Sequence, residues 1–250
     1  MHRLWPLPAV ALDDDALEEL YRYPLPKNAT YSVAMNSVSS LDGAVEIDGH
    51  SGGLSTPADR RVFKLGHDLA DVVLLGSGTA IAEDYPGLQP DEPTTGRRRQ
   101  LGLSDVAPLA IVTTGSLPPD ATSIVDVSTP SIVVTCASAP TARQAAWRQA
   151  GALVVVAGQG QVDLADALAQ LASLGLRRVD CEGGPALLGA LLSADLIDEI
   201  RLSVAPLAVA GGAGRVISTT EPLMPRGFAV DSLLLEESTL LVRYLRARDA

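Results

Sequence analysis

A strand that runs into Glu-Gly-Gly-Pro and then into a leucine-rich helix constrains this chain more than any other stretch. Arg178 to Cys181 reads as a short strand, and Leu187, Leu188, Leu191 and Leu192 recur at helical spacing. Pro185 suits the first helical position, because its φ is already fixed near the helical value. Gly183 and Gly184 leave backbone N–H groups open to close approach, and the helix dipole favours negative charge there. Taken alone, a tight β-to-α turn explains these glycines as well as an anion site does.

The same pattern repeats along the chain. Strands are expected near 31–36, 71–76, 108–113, 131–135, 152–157, 177–181, 199–205 and 239–247, with helices near 57–69, 140–150, 163–174 and 185–194. Helices between apolar strands imply crossover connections, hence an α/β fold with a central, mostly parallel sheet and helices on both faces. Leu233 to Glu236 and Thr239 to Leu245, separated only by Glu237-Ser238, predict an antiparallel C-terminal edge hairpin. Two earlier strand ends also carry small or acidic residues, Ser39-Ser40-Leu41-Asp42-Gly43 and Gly76-Ser77-Gly78-Thr79. Ligands of open α/β sheets sit at the carboxyl ends of strands, so three such ends suggest one shared site. Ile81 stands where a dinucleotide fingerprint has its third glycine, which argues against an ordinary Rossmann domain.

Composition narrows the partners. With 250 residues, 47% of them hydrophobic, the chain can bury a large core, and a formal net charge of −11 repels nucleic acid and acidic membrane surfaces. Any anionic ligand must then be held by local amides and a few arginines. Cys136 and Cys181 lie in apolar runs and read as buried free thiols; with no Cys-x-x-Cys and with His2, His50 and His67 scattered, no zinc site and no metal are expected. The N-terminus lacks a signal-peptide pattern and no run is long enough to span a bilayer, so the cytoplasm is the expected location. Residues 1–29 read as an N-terminal extension packed on a domain of residues 30–250. Pro86, Pro90, Pro93 and Gly96 predict a mobile loop over 84–105, in which Arg97-Arg98-Arg99 reads first as solvated surface. The glycine-rich Ala210 to Arg215 reads as a structural connection.

Four blocks together carry a resemblance: Asn36 with Ser39 to Gly43, Ser51 to Arg61, Gly76 to Asp84, and Glu182 to Pro185. In this order and spacing they resemble the pyrimidine reductase domain of riboflavin biosynthesis, in its stand-alone actinobacterial type. The resemblance implies a dihydrofolate-reductase-like fold and an NADPH-dependent oxidoreductase. The reaction it implies is hydride transfer to C1′ of a ribosylaminopyrimidine, 5-amino-6-(5-phosphoribosylamino)uracil or a relative. By position, Asp59 is then the candidate acid and Glu83 a second catalytic carboxylate. Asn36, Ser51, Asp59 and Glu182 are candidate substrate ligands. Gly53, Leu54, Gly76, Gly78, Thr79, Glu83 and Thr114 are candidate cofactor ligands, with Gly183, Gly184, Pro185, Ala186, Leu187 and Leu188 as a second phosphate platform. Asp42 reads as a turn residue supporting the nicotinamide-side loop, and family pairing through sheet edges implies a homodimer. Asp59 also suits a helix first turn for capping reasons alone. Where the family carries phosphate-contacting arginines this chain has His67 and Leu88-Gln89-Pro90, which leaves the phosphorylation state of the substrate open. Reduction of dihydrofolate or another pterin-like C=N compound, and a non-catalytic dinucleotide-binding module, are the alternatives.

Overall fold

In a computed structural model, residues 1–23, 25 and 29–247 are described; positions 24 and 26–28, at the end of the expected N-terminal extension, lie outside them. Chain order runs β1 (His2–Trp5), β2 (Val10–Ala11), α1 (Asp14–Tyr21), β3 (Ser32–Ser39), α2 (Pro57–Leu69), β4 (Val72–Gly76) and α3 (Ser77–Ala82). It continues with α4 (Glu92–Gln100), β5 (Leu109–Val112), α5 (Thr122–Val125), β6 (Ile132–Thr135), α6 (Thr141–Gln149), β7 (Leu153–Val156) and α7 (Leu164–Ser173). The last elements are β8 (Arg178–Gly183), α8 (Pro185–Ser193), β9 (Glu199–Val204), β10 (Phe228–Glu236) and β11 (Thr239–Arg246). All strands join one sheet in the order β2-β1-β10-β11-β9-β3-β8-β4-β5-β6-β7.

From β9 through β3, β8, β4, β5 and β6 to β7 every pairing is parallel. Such strands are covered on both faces, which is why Val72-Val73-Leu74-Leu75 is apolar throughout. Val72 and Leu74 pack with Leu168, Leu171 and Leu188 on one face. Val73 and Leu75 pack with Ile111, Leu117 and Trp147 on the other. The expected antiparallel hairpin of β10 and β11 is present and pairs with β9, but it is not the outermost part of the sheet. Sequence reading did not foresee that the N-terminus extends this end of the sheet, with His2 paired to Leu235 and Arg3 to Leu234.

Helix α2 positions the site. Thr56 caps it by accepting from the Asp59 N–H at 3.2 Å, and Pro57 occupies its first turn. Ala58, Val62, Leu65 and Leu69 then face the sheet with Ala34, Leu234 and Leu241. Each such buried side chain contributes about 1.5–3 kcal/mol.

The expectation of a mobile 84–105 loop with solvated arginines is corrected for α4 and Arg98, whereas Arg99 is exposed as expected. Asp91 caps α4 by accepting from the Thr94 N–H at 2.8 Å, and Pro93 sits in its first turn, so the prolines begin a helix here. Arg98 is only 1% exposed. Its guanidinium donates to the carbonyls of His67, Ala70 and Ser104, each at 2.7 Å, and so closes the C-terminal end of α2. Both cysteines are buried free thiols.

Candidate active site

A cavity of about 820 Å³ opens at the carboxyl ends of β3, β4 and β8, beneath the N-terminal half of α2. Four turns meet there because a parallel sheet brings the ends of neighbouring strands together.

The glycine side is built from two turns. Gly76 ends β4 and Gly78 and Thr79 follow it, while Gly184, Pro185 and Ala186 begin α8, and all of them line the cavity. The two turns touch: a Cβ on Gly184 would stand 2.5 Å from Thr79 Oγ1, so any side chain there would push the Thr79 hydroxyl aside. Gly78 has open space around its Cα. Leu187 and Leu188 complete this wall, and Val38, Val45 and Val216 add apolar surface. Pro185 lacks an N–H, but the other first-turn amides of α8 are directed toward the turn and create a local positive end in an acidic chain.

The opposite side carries carboxylates. Asp59 sits in the first turn of α2, 4% exposed, and accepts a hydrogen bond from the Ser55 hydroxyl. Glu83 accepts from the Ser51 N–H at 3.0 Å and its hydroxyl at 3.2 Å, and lies 3.3 Å from His50 Nδ1. Partial burial disfavours the ionised form of Glu83, but these hydrogen bonds outweigh it and hold the carboxyl below its usual range. Glu182, at the end of β8, is hydrogen-bonded to His67 Nε2. A register shift in the β4–β8 pairing skips Glu182, since Leu74 pairs with Cys181 and Leu75 with Gly183. The bulge releases the Glu182 backbone from the ladder at the cavity wall. Burial pushes the Tyr85 hydroxyl well up, reinforced by the Glu182 charge beside it. Asn36 also lines the cavity, and its buried Nδ2 has no hydrogen-bond partner.

Of the residues singled out from the sequence, Asn36, Ser51, Asp59, Gly76, Gly78, Thr79, Glu83, Glu182 and Gly184 through Leu188 therefore converge. Four do not reach the cavity wall. Leu54 is fully buried. Gly53 packs against Ile47, whose side chain a Cβ would approach to 3.3 Å. Gly183 turns toward Leu188, and Thr114 is exposed beyond the end of β5. Asp42 lies off the wall as a turn residue: it accepts from the Val209 and Ala210 N–H groups, which with the Ser40 hydroxyl hold it down to about 2. The sequence reading missed Arg60, Phe63 and Tyr85, which line the cavity. Phe63 and Arg60 were legible only as members of α2. Tyr85 directly follows Glu83-Asp84, and its place beside Glu182 comes from the sheet.

Comparison with known proteins gives the arrangement its family. The model of the RibD C-terminal domain matches residues 31–236. The chain belongs to the RibD C-terminal domain family. A Methanothermobacter thermautotrophicus protein named 2,5-diamino-6-ribosylamino-4(3H)-pyrimidinone 5′-phosphate reductase is 30% identical over 209 residues, 83% of this chain and 93% of that protein. Its namesake in Archaeoglobus fulgidus is 28% identical over 181 residues, 72% of this chain and 82% of that protein. Among solved structures, a pyrimidine reductase-like protein from Corynebacterium diphtheriae superposes with a TM-score of 0.77 at 20% identity, covering 93% of this chain and 99% of that one. The riboflavin biosynthesis reductase of Saccharomyces cerevisiae gives 0.64 at 18% identity, covering 89% and 93%. These structural likenesses show that the RibD C-terminal domain chain has the reductase-type α/β fold.

Proposed function

We propose that this RibD C-terminal domain protein is an NADPH-dependent reductase of a ribosylaminopyrimidine in riboflavin biosynthesis. The observation that carries the proposal is the meeting of Thr79 with Gly184, which puts an anion-accepting turn pair and three carboxylates in one cavity. A dinucleotide suits the glycine side, where missing side chains and the α8 dipole favour a pyrophosphate. Thr114, two residues beyond the β5 end that pairs with Gly76, would serve the cofactor only at a part that reaches outside the cavity. When bound, the reduced nicotinamide supplies the hydride.

The protein's own part is orientation and proton supply. Asp59 would deliver its proton to the ribosyl ring oxygen as the C1′–O bond breaks, leaving C1′ to take the hydride, and Ser55 donates to the carboxylate that remains. Glu182 accepts the pyrimidine N–H groups, while Asn36 Nδ2, buried without a partner, donates to a pyrimidine carbonyl. An unsatisfied buried donor costs about 1–3 kcal/mol, and a bound carbonyl relieves that cost. Ser51 and Glu83 form the rim nearest the sugar hydroxyls. Phe63, Val38 and Val216 exclude water from the reacting end.

Residues 30–250 form the catalytic unit in this reading. The protein works in the cytoplasm as a homodimer paired through sheet edges, where β7 leaves Leu153 and Val156 exposed. No described helix is long and apolar enough to cross a membrane. Loss of reduced-nicotinamide absorbance in stopped flow tests the function. The 5-amino-6-ribosylaminouracil phosphate should drive oxidation faster than dihydrofolate. Tight NADPH binding without turnover on either substrate would leave a binding module instead.

A further inference from the structure

At the cavity floor lies a cluster only partly used by the proposed reaction. Asp180 and Glu182 stand two residues apart on β8 and so share the face that meets α2, where His67 occupies the last turn. One ring nitrogen of His67 and one carboxylate oxygen each of Asp180 and Glu182 lie within 4.8 Å of one another. His67 packs edge-on against Phe63, ring centroids 4.6 Å apart. Asp180 is 0% exposed, and neither carboxylate oxygen finds a donor at good geometry. Its fit against α2 depends on Gly66, where a Cβ would strike Asp180 Oδ2 and stop 2.9 Å from Asn36 Nδ2. A mid-helix glycine costs about 1 kcal/mol relative to alanine. Burying a poorly partnered carboxylate beside it costs more, and the nearby Arg201 and His67 charges are what offset it.

We propose that His67, Asp180 and Glu182 form a proton-sharing cluster in which His67 is a positioning residue that holds the Glu182 carboxylate turned toward the substrate. Every packed element contributes a group. From β8 come Asp180 and Glu182, and from α2 itself Asp68, which is tied to Arg97 of α4. Arg98 of α4 donates to the His67 carbonyl at 2.7 Å. Arg201 of β9 and the Tyr23 hydroxyl face Asp180, and Tyr85 faces Glu182. Burial alone would keep the imidazole neutral, but the Glu182, Asp180 and Asp68 charges raise His67 above its ordinary value. Burial pushes Asp180 up to about 6 against the pull of Arg201 and His67.

The signs give a window. As pH falls through about 6, Asp180 takes a proton and His67 loses one anionic partner. As pH rises through the raised His67 value, the imidazolium between the two carboxylates is lost and Glu182 faces Asp180 as a like charge. Glu182 is therefore best held between the two limits. The consequence for substrate rests on the proposed function; the cluster itself does not.

With only three histidines in the chain, proton–carbon NMR of the imidazole signals reads the cluster directly. The signal missing in His67→Gln should titrate above the ordinary value of about 6.5. It should fall by about one pH unit or more in Asp180→Asn and in Glu182→Gln. A His67 that titrates at or below 6.5, or that ignores Asp180→Asn, overturns the proposal. So does stoichiometric uptake of added Zn²⁺ that silences the His67 titration, because the cluster would then be a metal site. In steady state, His67→Gln should raise the pyrimidine KM about tenfold near pH 7, keep kcat within about twofold and remove the alkaline limb of kcat/KM. Asp180→Asn should move that limb to lower pH. A loss confined to kcat and uniform across pH would overturn the positioning role. If the wild-type protein turns over no pyrimidine, the proposed function falls while the NMR titration still decides the cluster.

Discussion

Asp59 shows why a single side chain needs two explanations. Its N–H completes the Thr56 cap and its carboxylate receives the Ser55 hydroxyl inside the cavity, so helix stability and chemistry draw on different atoms of one residue. Asp59→Asn keeps the backbone bond and the shape but cannot supply a proton. Single-turnover hydride transfer should slow about a hundredfold or more, with NADPH affinity within about twofold; unchanged turnover removes Asp59 from the mechanism. Gly184 is the opposite case, important for what it lacks. Gly184→Asp places a side chain against Thr79 Oγ1 and a negative charge where phosphate is proposed. The Kd for NADPH, followed by nicotinamide fluorescence, should rise at least about tenfold. Gly184→Ala, which adds bulk without charge, should rise less. An unchanged Kd in both would put the phosphate elsewhere.

At the scale of elements, the segment before β5 is the instructive one. Its prolines and arginines have the composition of a solvated loop, yet Pro93 lies where a helix tolerates proline, and Arg98 enters the protein because α2 ends with open carbonyls. Composition reports the average character of a segment, whereas an arginine's burial depends on acceptors supplied by another element. Arg98→Ala leaves the His67, Ala70 and Ser104 carbonyls without their shared donor and should cost about 3 kcal/mol or more in urea denaturation. Arg98→Lys should rescue little, since an ammonium cannot fork to several carbonyls at once. A cost under about 1 kcal/mol would show that water replaces the guanidinium. The glycine turns were legible for the converse reason: a close backbone approach admits very few residue types, so the sequence shows it directly.

Across the whole molecule, the N-terminal strands close the end of the sheet where the hairpin lies. Tyr21 and Tyr23 anchor the same segment: Arg201 donates to the Tyr21 carbonyl at 2.9 Å and lies over the Tyr23 ring at 4.5 Å, while Glu199 binds both Arg201 and Arg243. Deleting residues 1–11 would strip β1 and β2 and leave the outer backbone groups of β10 unpaired. Sedimentation velocity should then show a larger weight-average mass than for the full chain; an unchanged mass would mean that β10 needs no cover. The parallel sheet, the hairpin and the glycine turns were readable in the sequence alone, because period, apolar runs and glycine placement are local consequences of backbone geometry. Only the tertiary structure put His67, Asp180 and Glu182 together and carried Arg98 inside. Gly53 and Leu54 stayed off the cavity wall although Gly52 and Ser55 line it, and Thr114 lies exposed beyond the end of β5, away from the cavity. Such outcomes depend on which faces of distant elements meet, and residue order states that only through the completed packing.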